Sequence, residues 1–151
     1  MSYTRDDFEI WIFMISDKME YFTNEFAKKN NLLLDYSIGS LDFLENWLIT
    51  KYDTAEQMRN DTSQCSGSYN LLDLCGIYVG QVFRKNIGGK WHMIMDNPKH
   101  AYYMLPVLTD KAYKGTVYKA PILLASACIS RKKGTYISTV LKNNMRLMGE
   151  I

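Results

Sequence analysis

A chain of 151 residues, 47% of them apolar, is long enough to bury one core, and residues 1–151 read as a single domain. Eighteen Lys and Arg against 16 Asp and Glu give a formal charge of +2, too balanced to imply a nucleic-acid-binding surface by itself, so nucleic acid is not the expected partner. The three cysteines, Cys65, Cys75 and Cys128, form no CxxC pair and suggest reduced thiols; no apolar run reaches the roughly 18 residues of a membrane span, and Asp6, Asp7 and Glu9 stand where an export signal would be basic or apolar, so a cytoplasmic protein without membrane contact is expected.

Phe8, Trp11, Ile12, Ile15, Met19, Phe22 and Phe26 recur every three or four residues, which predicts one long helix over Thr4–Lys29 with an apolar stripe. Leu32–Tyr36 reads as a short strand, ended by a turn at Ser37-Ile38-Gly39. With Ser40 as its cap, a second helix is expected from Leu41 to Tyr52, burying Leu41, Leu44 and Leu48 while Asp42, Glu45 and Asn46 face outward. The polar stretch 53–68 reads as a loop, or as a frayed helix and a loop.

Tyr69–Asn86 carries so wide an apolar surface that it predicts a central, largely buried helix. Gly76 and Gly80, four apart, would let another backbone approach it, and Gly88-Gly89 would end it. A hairpin should follow, from Lys90–Met95 through Asp96-Asn97-Pro98 to Ala101–Leu108, with Pro106 marking the second strand as an edge. Thr116–Tyr118 is short and β-prone, Pro121 suits the first turn of a helix over Ile122–Ser130, and Thr135–Met148 leans to helix. The expected class is α+β: a long N-terminal helix and a central helix packed on a small antiparallel sheet, with C-terminal helices.

Catalytic signals are sparse. The histidines are His92 and His100, and no carboxylate or thiol stands at a spacing that would complete a metal site with them. No GxSxG, P-loop, HExxH or dinucleotide fingerprint occurs, and Gly88-Gly89 closes a helix rather than opening one, as a phosphate loop would. We therefore expect no catalytic residue, metal or cofactor. Cys75 reads as inert core, and Cys65, in a polar loop, as the more reactive thiol. Arg131-Lys132-Lys133 reads as a solvated helix end that could touch phosphate. Eleven tyrosines suit half-buried rings, found both at core edges and at interfaces.

Residues 76–91 run Gly76, Tyr78, Gly80, Gln81, Val82, Arg84, Gly88, Gly89, Trp91. This G-x-Y-x-G-[EQ]-V-x-R…G-G-x-W pattern, with the helix Ser40–Leu48 before it, resembles that of small uncharacterised bacterial proteins associated with toxin and immunity loci. The resemblance covers about a third of the chain and implies a cytosolic immunity protein that neutralises a cognate toxin by direct binding and occlusion. Gln81 stands where that pattern carries glutamate, which favours binding over chemistry. Tyr78, Arg84, Lys85 and Trp91 are the candidate partner-binding residues, aromatic and basic side chains being the usual anchors of protein interfaces. Packing alone can also account for the motif, with glycines for close approach and Trp91 as a cover. The alternatives are a small enzyme using the His92 region and an adaptor or nucleic-acid-associated protein using Arg84, Lys85, Lys90 and residues 131–133.

Overall fold

A computed structural model describes residues 4–109 and 117–149. It is an α+β structure. The N-terminal helix comes in pieces: α1 (Arg5–Phe13), α2 (Ile15–Tyr21), a π turn over Phe22–Phe26, and α3 (Ala27–Lys29). Thr4 caps α1 in a reciprocal capping box with Asp7. The expected stripe is buried from Ile15 to Phe26, but Phe8 and Trp11 are half-buried and Ile12 is exposed.

Leu32–Tyr36 is not a strand: Leu34 is buried, but the segment pairs with no strand among the described residues, and Tyr36 adopts a left-handed conformation with φ of 65°. The next helix, α4 (Ile38–Lys51), starts earlier than expected because Ser37 is its cap, its hydroxyl accepting the Ser40 N–H. Ser40 is instead a buried residue of the helix. Then come α5 (Ala55–Asn60), opened by a capping box between Thr54 and Gln57, and the central helix α6 (Leu71–Ile87). Eleven residues of α6 are buried, as the width of its apolar surface requires.

Gly88 and Gly89, with φ of 88° and 99°, turn the chain out of α6 into β1 (Lys90–Met93). With β2 (Pro106–Thr109) and β3 (Val117–Lys119), β1 makes an antiparallel sheet in the order β1-β2-β3, Trp91 opposite Leu108. The strand with Pro106 is therefore the middle one, not an edge. The proline is tolerated because it is the first residue of the strand, where the missing N–H costs no central ladder bond. Thr116, expected to open β3, lies outside the described residues. Helix α7 (Pro121–Arg131) has Pro121 in its first turn, and α8 (Tyr136–Leu147) completes the fold. A single apolar cluster runs from Ile15 to Met145, and α7 crosses α6 where an added Gly76 Cβ would lie 3.0 Å from the Ile122 Cα.

The polar row on α4 departs most from expectation. Asp42, Glu45 and Asn46 were read as outward; Asn46 is exposed and Asp42 half-buried, but Glu45 is not outward, and all three bond to the start of α8. Glu45 is fully buried, and its carboxylate accepts the N–H groups of Tyr136 at 2.9 Å and Ile137 at 2.8 Å. Thr135 supplies no side-chain cap to α8, so Glu45 does so from a helix 91 residues earlier in the chain. Asp42 accepts the Ser138 hydroxyl at 2.6 Å, and the Asn46 amide donates to the Gly134 carbonyl at 3.1 Å. Burial raises the Glu45 pKa above the ordinary glutamate value, and the two backbone N–H groups partly oppose that rise.

Candidate functional site

The motif lines a cleft of about 760 Å³ between the N-terminal helices and the exit of α6. One wall is made by side chains between Ile12 and Thr23, a stretch that contains the helix break at Met14 and enters the π turn. The other comprises Tyr36 from the loop before α4, Gln81 and Arg84 from α6, and Lys90 and Trp91 from β1. Of residues 76–91, Gln81, Arg84, Lys90 and Trp91 line it.

Gly80 makes room for Trp91. A Cβ on Gly80 would lie 2.1 Å from the Trp91 Cη2, so the ring can lie on α6 only because that position has no side chain. Trp11 meets Trp91 edge to face with centroids 5.0 Å apart, while its own N–H donates to Asp73, which also pairs with Lys18 at 2.9 Å. Trp91 is thus fixed from below and from one side. Its Nε1–H donates to Gln81 Oε1 at 3.0 Å.

The same Gln81 oxygen accepts from Arg84 Nη1 at 2.9 Å, and Arg84 Nε donates to the Gly89 carbonyl at 3.2 Å. Two donors converging on Oε1 fix which end of the amide carries the oxygen. Gln81, read in the sequence only as a missing acid, is therefore the clamp that joins Arg84 to Trp91. Its signal was its position: three residues before Arg84 on a helix, it lies on the same face.

Tyr78 was expected to touch a partner, and the structure corrects this: the side chain is fully buried and reaches no surface. Its ring stacks on Tyr36 with centroids 5.0 Å apart, and its oxygen accepts the Tyr36 N–H at 2.8 Å. Because the Ser40 hydroxyl donates to the Ser37 carbonyl, the 2.6 Å contact between Ser40 and Tyr78 has the tyrosine as donor. Burial pushes the Tyr78 hydroxyl up to about 12, so it stays protonated. Tyr78 thus acts through Tyr36, holding a bulky left-handed residue in the cleft wall at a backbone cost of about 1–3 kcal/mol. The Tyr36 hydroxyl is also raised, by burial, with a hydrogen bond to Thr23 opposing the shift.

Lys85 is exposed on α6 but is not among the residues lining the cleft. Sequence reasoning missed Ile12 and Phe13. Phe13 is 81% exposed at the cleft mouth, an apolar residue out of phase with its helix's stripe. The other expected sites lie elsewhere. His92 is exposed on β1, and His100 uses Nδ1 to accept the Tyr102 N–H at 3.0 Å. Among the described residues no group of three or more His, Cys, Asp or Glu side chains could hold a metal, and no helix is long and apolar enough to cross a membrane. All three cysteines are free thiols; burial raises the pKa of each, and Cys65, the half-buried one, is more accessible than the buried Cys75 and Cys128, in keeping with its expected rank. In the basic run, Arg131 packs 4.9 Å from the Tyr136 ring and Lys132 donates to the Asp53 carbonyl.

Compared with models of known protein families, with curated proteins and with solved structures, the chain matches none.

Proposed function

We propose that the chain is a binding protein that uses the cleft between α1–α2 and the α6–β1 corner to dock a protein partner. The observation that carries this reading is the Gln81 clamp. It holds an arginine and a tryptophan, two residue types that most often anchor interfaces, in fixed positions at the mouth of an open cleft beside an exposed phenylalanine. The titratable groups of the cleft support binding over catalysis. Tyr36 in the cleft wall has its hydroxyl raised by burial and so protonated at neutral pH, a hydrogen-bonding group rather than a base.

The resemblance of residues 76–91 to proteins of toxin and immunity loci supplies the class of partner. On this reading the chain is a cytoplasmic immunity protein that covers the working surface of a cognate toxin. Co-expression with the product of the neighbouring open reading frame tests it. A stoichiometric complex that restores growth, and that Trp91→Ala or Arg84→Ala weakens by about 2 kcal/mol or more, is the expected result. A complex indifferent to both substitutions would move the interface away from the cleft, and no complex and no rescue would end the immunity reading.

A further inference from the structure

The geometry points to an acidic side chain, carried beside an apolar residue on the protein partner, as what the cleft accepts, with Arg84 as its anchor and Gln81 as the residue that keeps the Arg84 charge available. This rests on the docking reading above and names what that site recognises.

Arg84 is gripped on two edges by neutral oxygens, the Gln81 amide and the Gly89 carbonyl. A neutral acceptor orients a guanidinium without cancelling its charge, whereas a carboxylate in the same place would form an ion pair and quench it. Neither of the two ion pairs among the described residues includes Arg84, and its Nη2 has no acceptor among them. The side chain is already ordered by its two bonds, so a carboxylate arriving at Nη2 would cost little further side-chain entropy.

The neighbourhood sets the rest of the specificity. Arg84 stands on the same wall as Trp91 and forms no ion pair with Glu20 of the opposite wall. Phe13, 81% exposed, and the half-buried Trp91 offer apolar contact beside that charge. An acid alone would leave this surface wet, and an apolar residue alone would bury the guanidinium unpaired. The two together match what the cleft presents.

The full chain and its Gln81→Glu variant are passed over an immobilised degenerate peptide array, with a single-stranded oligonucleotide in parallel. The glutamate keeps both hydrogen bonds from Arg84 and Trp91 and should leave the melting temperature no lower. The expected result is retention of peptides with Asp or Glu next to an aromatic or aliphatic residue, weakened at least about tenfold by Gln81→Glu and by rising salt. Peptide binding without acidic preference, or acid-dependent binding that Gln81→Glu leaves unchanged, overturns the anchor assignment and leaves the docking reading standing. Retention of the oligonucleotide in place of peptides assigns the Arg84 charge to phosphate and overturns the proposal. Retention of neither removes the docking reading as well.

Discussion

Two rows of polar residues, one on α4 and one on α6, have similar helical spacing and opposite fates. Asp42, Glu45 and Asn46 on α4 are consumed by the chain itself, each hydrogen-bonded to the segment from Gly134 to Ser138. Gln81 and Arg84 on α6 are bonded to each other and to the β1 corner, and the guanidinium keeps hydrogen-bonding capacity toward the cleft. A polar group whose every partner is internal fixes the fold; one pinned on two sides and open on a third is prepared for something from outside. The contrast is one of satisfaction rather than burial, since no buried side-chain nitrogen or oxygen among the described residues lacks a partner.

The largest expected effect breaks the closed row. Glu45→Ala leaves the part-buried Tyr136 and buried Ile137 N–H groups without their acceptor, and should destabilise the protein by about 3 kcal/mol in urea denaturation. If the loss is below about 1 kcal/mol, water or Asp42 has replaced the carboxylate and the seam is not closed. Next comes Gly80→Ala, which places a methyl group where the Trp91 ring lies. The displaced ring should cost about 1–3 kcal/mol, less up to about 1 kcal/mol of gained helix propensity, and change the tryptophan emission. Gly80→Ala is the reciprocal experiment: it should damage the open row while leaving α8 docked.

Tyr78→Phe tests the connection between core and cleft. It removes the acceptor of the Tyr36 N–H and the donor to Ser40, for an expected loss of about 1–2 kcal/mol and greater hydrogen exchange at Tyr36. The smallest effect concerns acid stability. The Ser63 hydroxyl, the Tyr52 hydroxyl and the Ser63 N–H hold the Asp61 carboxyl down to about 2, below its ordinary 3.8. Because the folded pKa is the lower one, this contribution is present above about pH 4 and is lost as pH falls through 2. Tyr52→Phe should therefore flatten the pH dependence of stability in that window, and an unchanged slope would locate the acid sensitivity elsewhere.

Much of the fold was legible in the sequence because helices declare themselves by local periodicity. The stripes of the N-terminal region and of α6, the glycine exit at Gly88-Gly89 and the proline start of α7 all depend on residues within a few positions of one another. What escaped depended on partners distant in the chain. Glu45 has the spacing of a surface residue on α4, and only the arrival of Tyr136 and Ile137 makes it a cap. Pro106 suggests an edge until β3 is seen to pair with Leu108 and Thr109, farther along the same strand. The strand expected at Leu32–Tyr36 failed because the Tyr78 hydroxyl, 42 residues on, holds the Tyr36 backbone. At the candidate site, Arg84 and Trp91 were found by residue type. Tyr78 was misplaced because an aromatic motif residue gives no sign of which way it points, and Gln81 was undervalued because neutral amides are read as bystanders.

The close pairing of Trp11 with Trp91 gives the molecule a native optical reporter. Of its three tryptophans, these two stand edge to face at 5.0 Å with one ring in the cleft wall, while Trp47 packs against Phe26 and Tyr52. Anything that seats itself against the Trp91 indole alters the polarity around that ring and its coupling to its neighbour. Occupancy should therefore be readable as a shift in emission from the unlabelled chain, with Trp47 as a constant background.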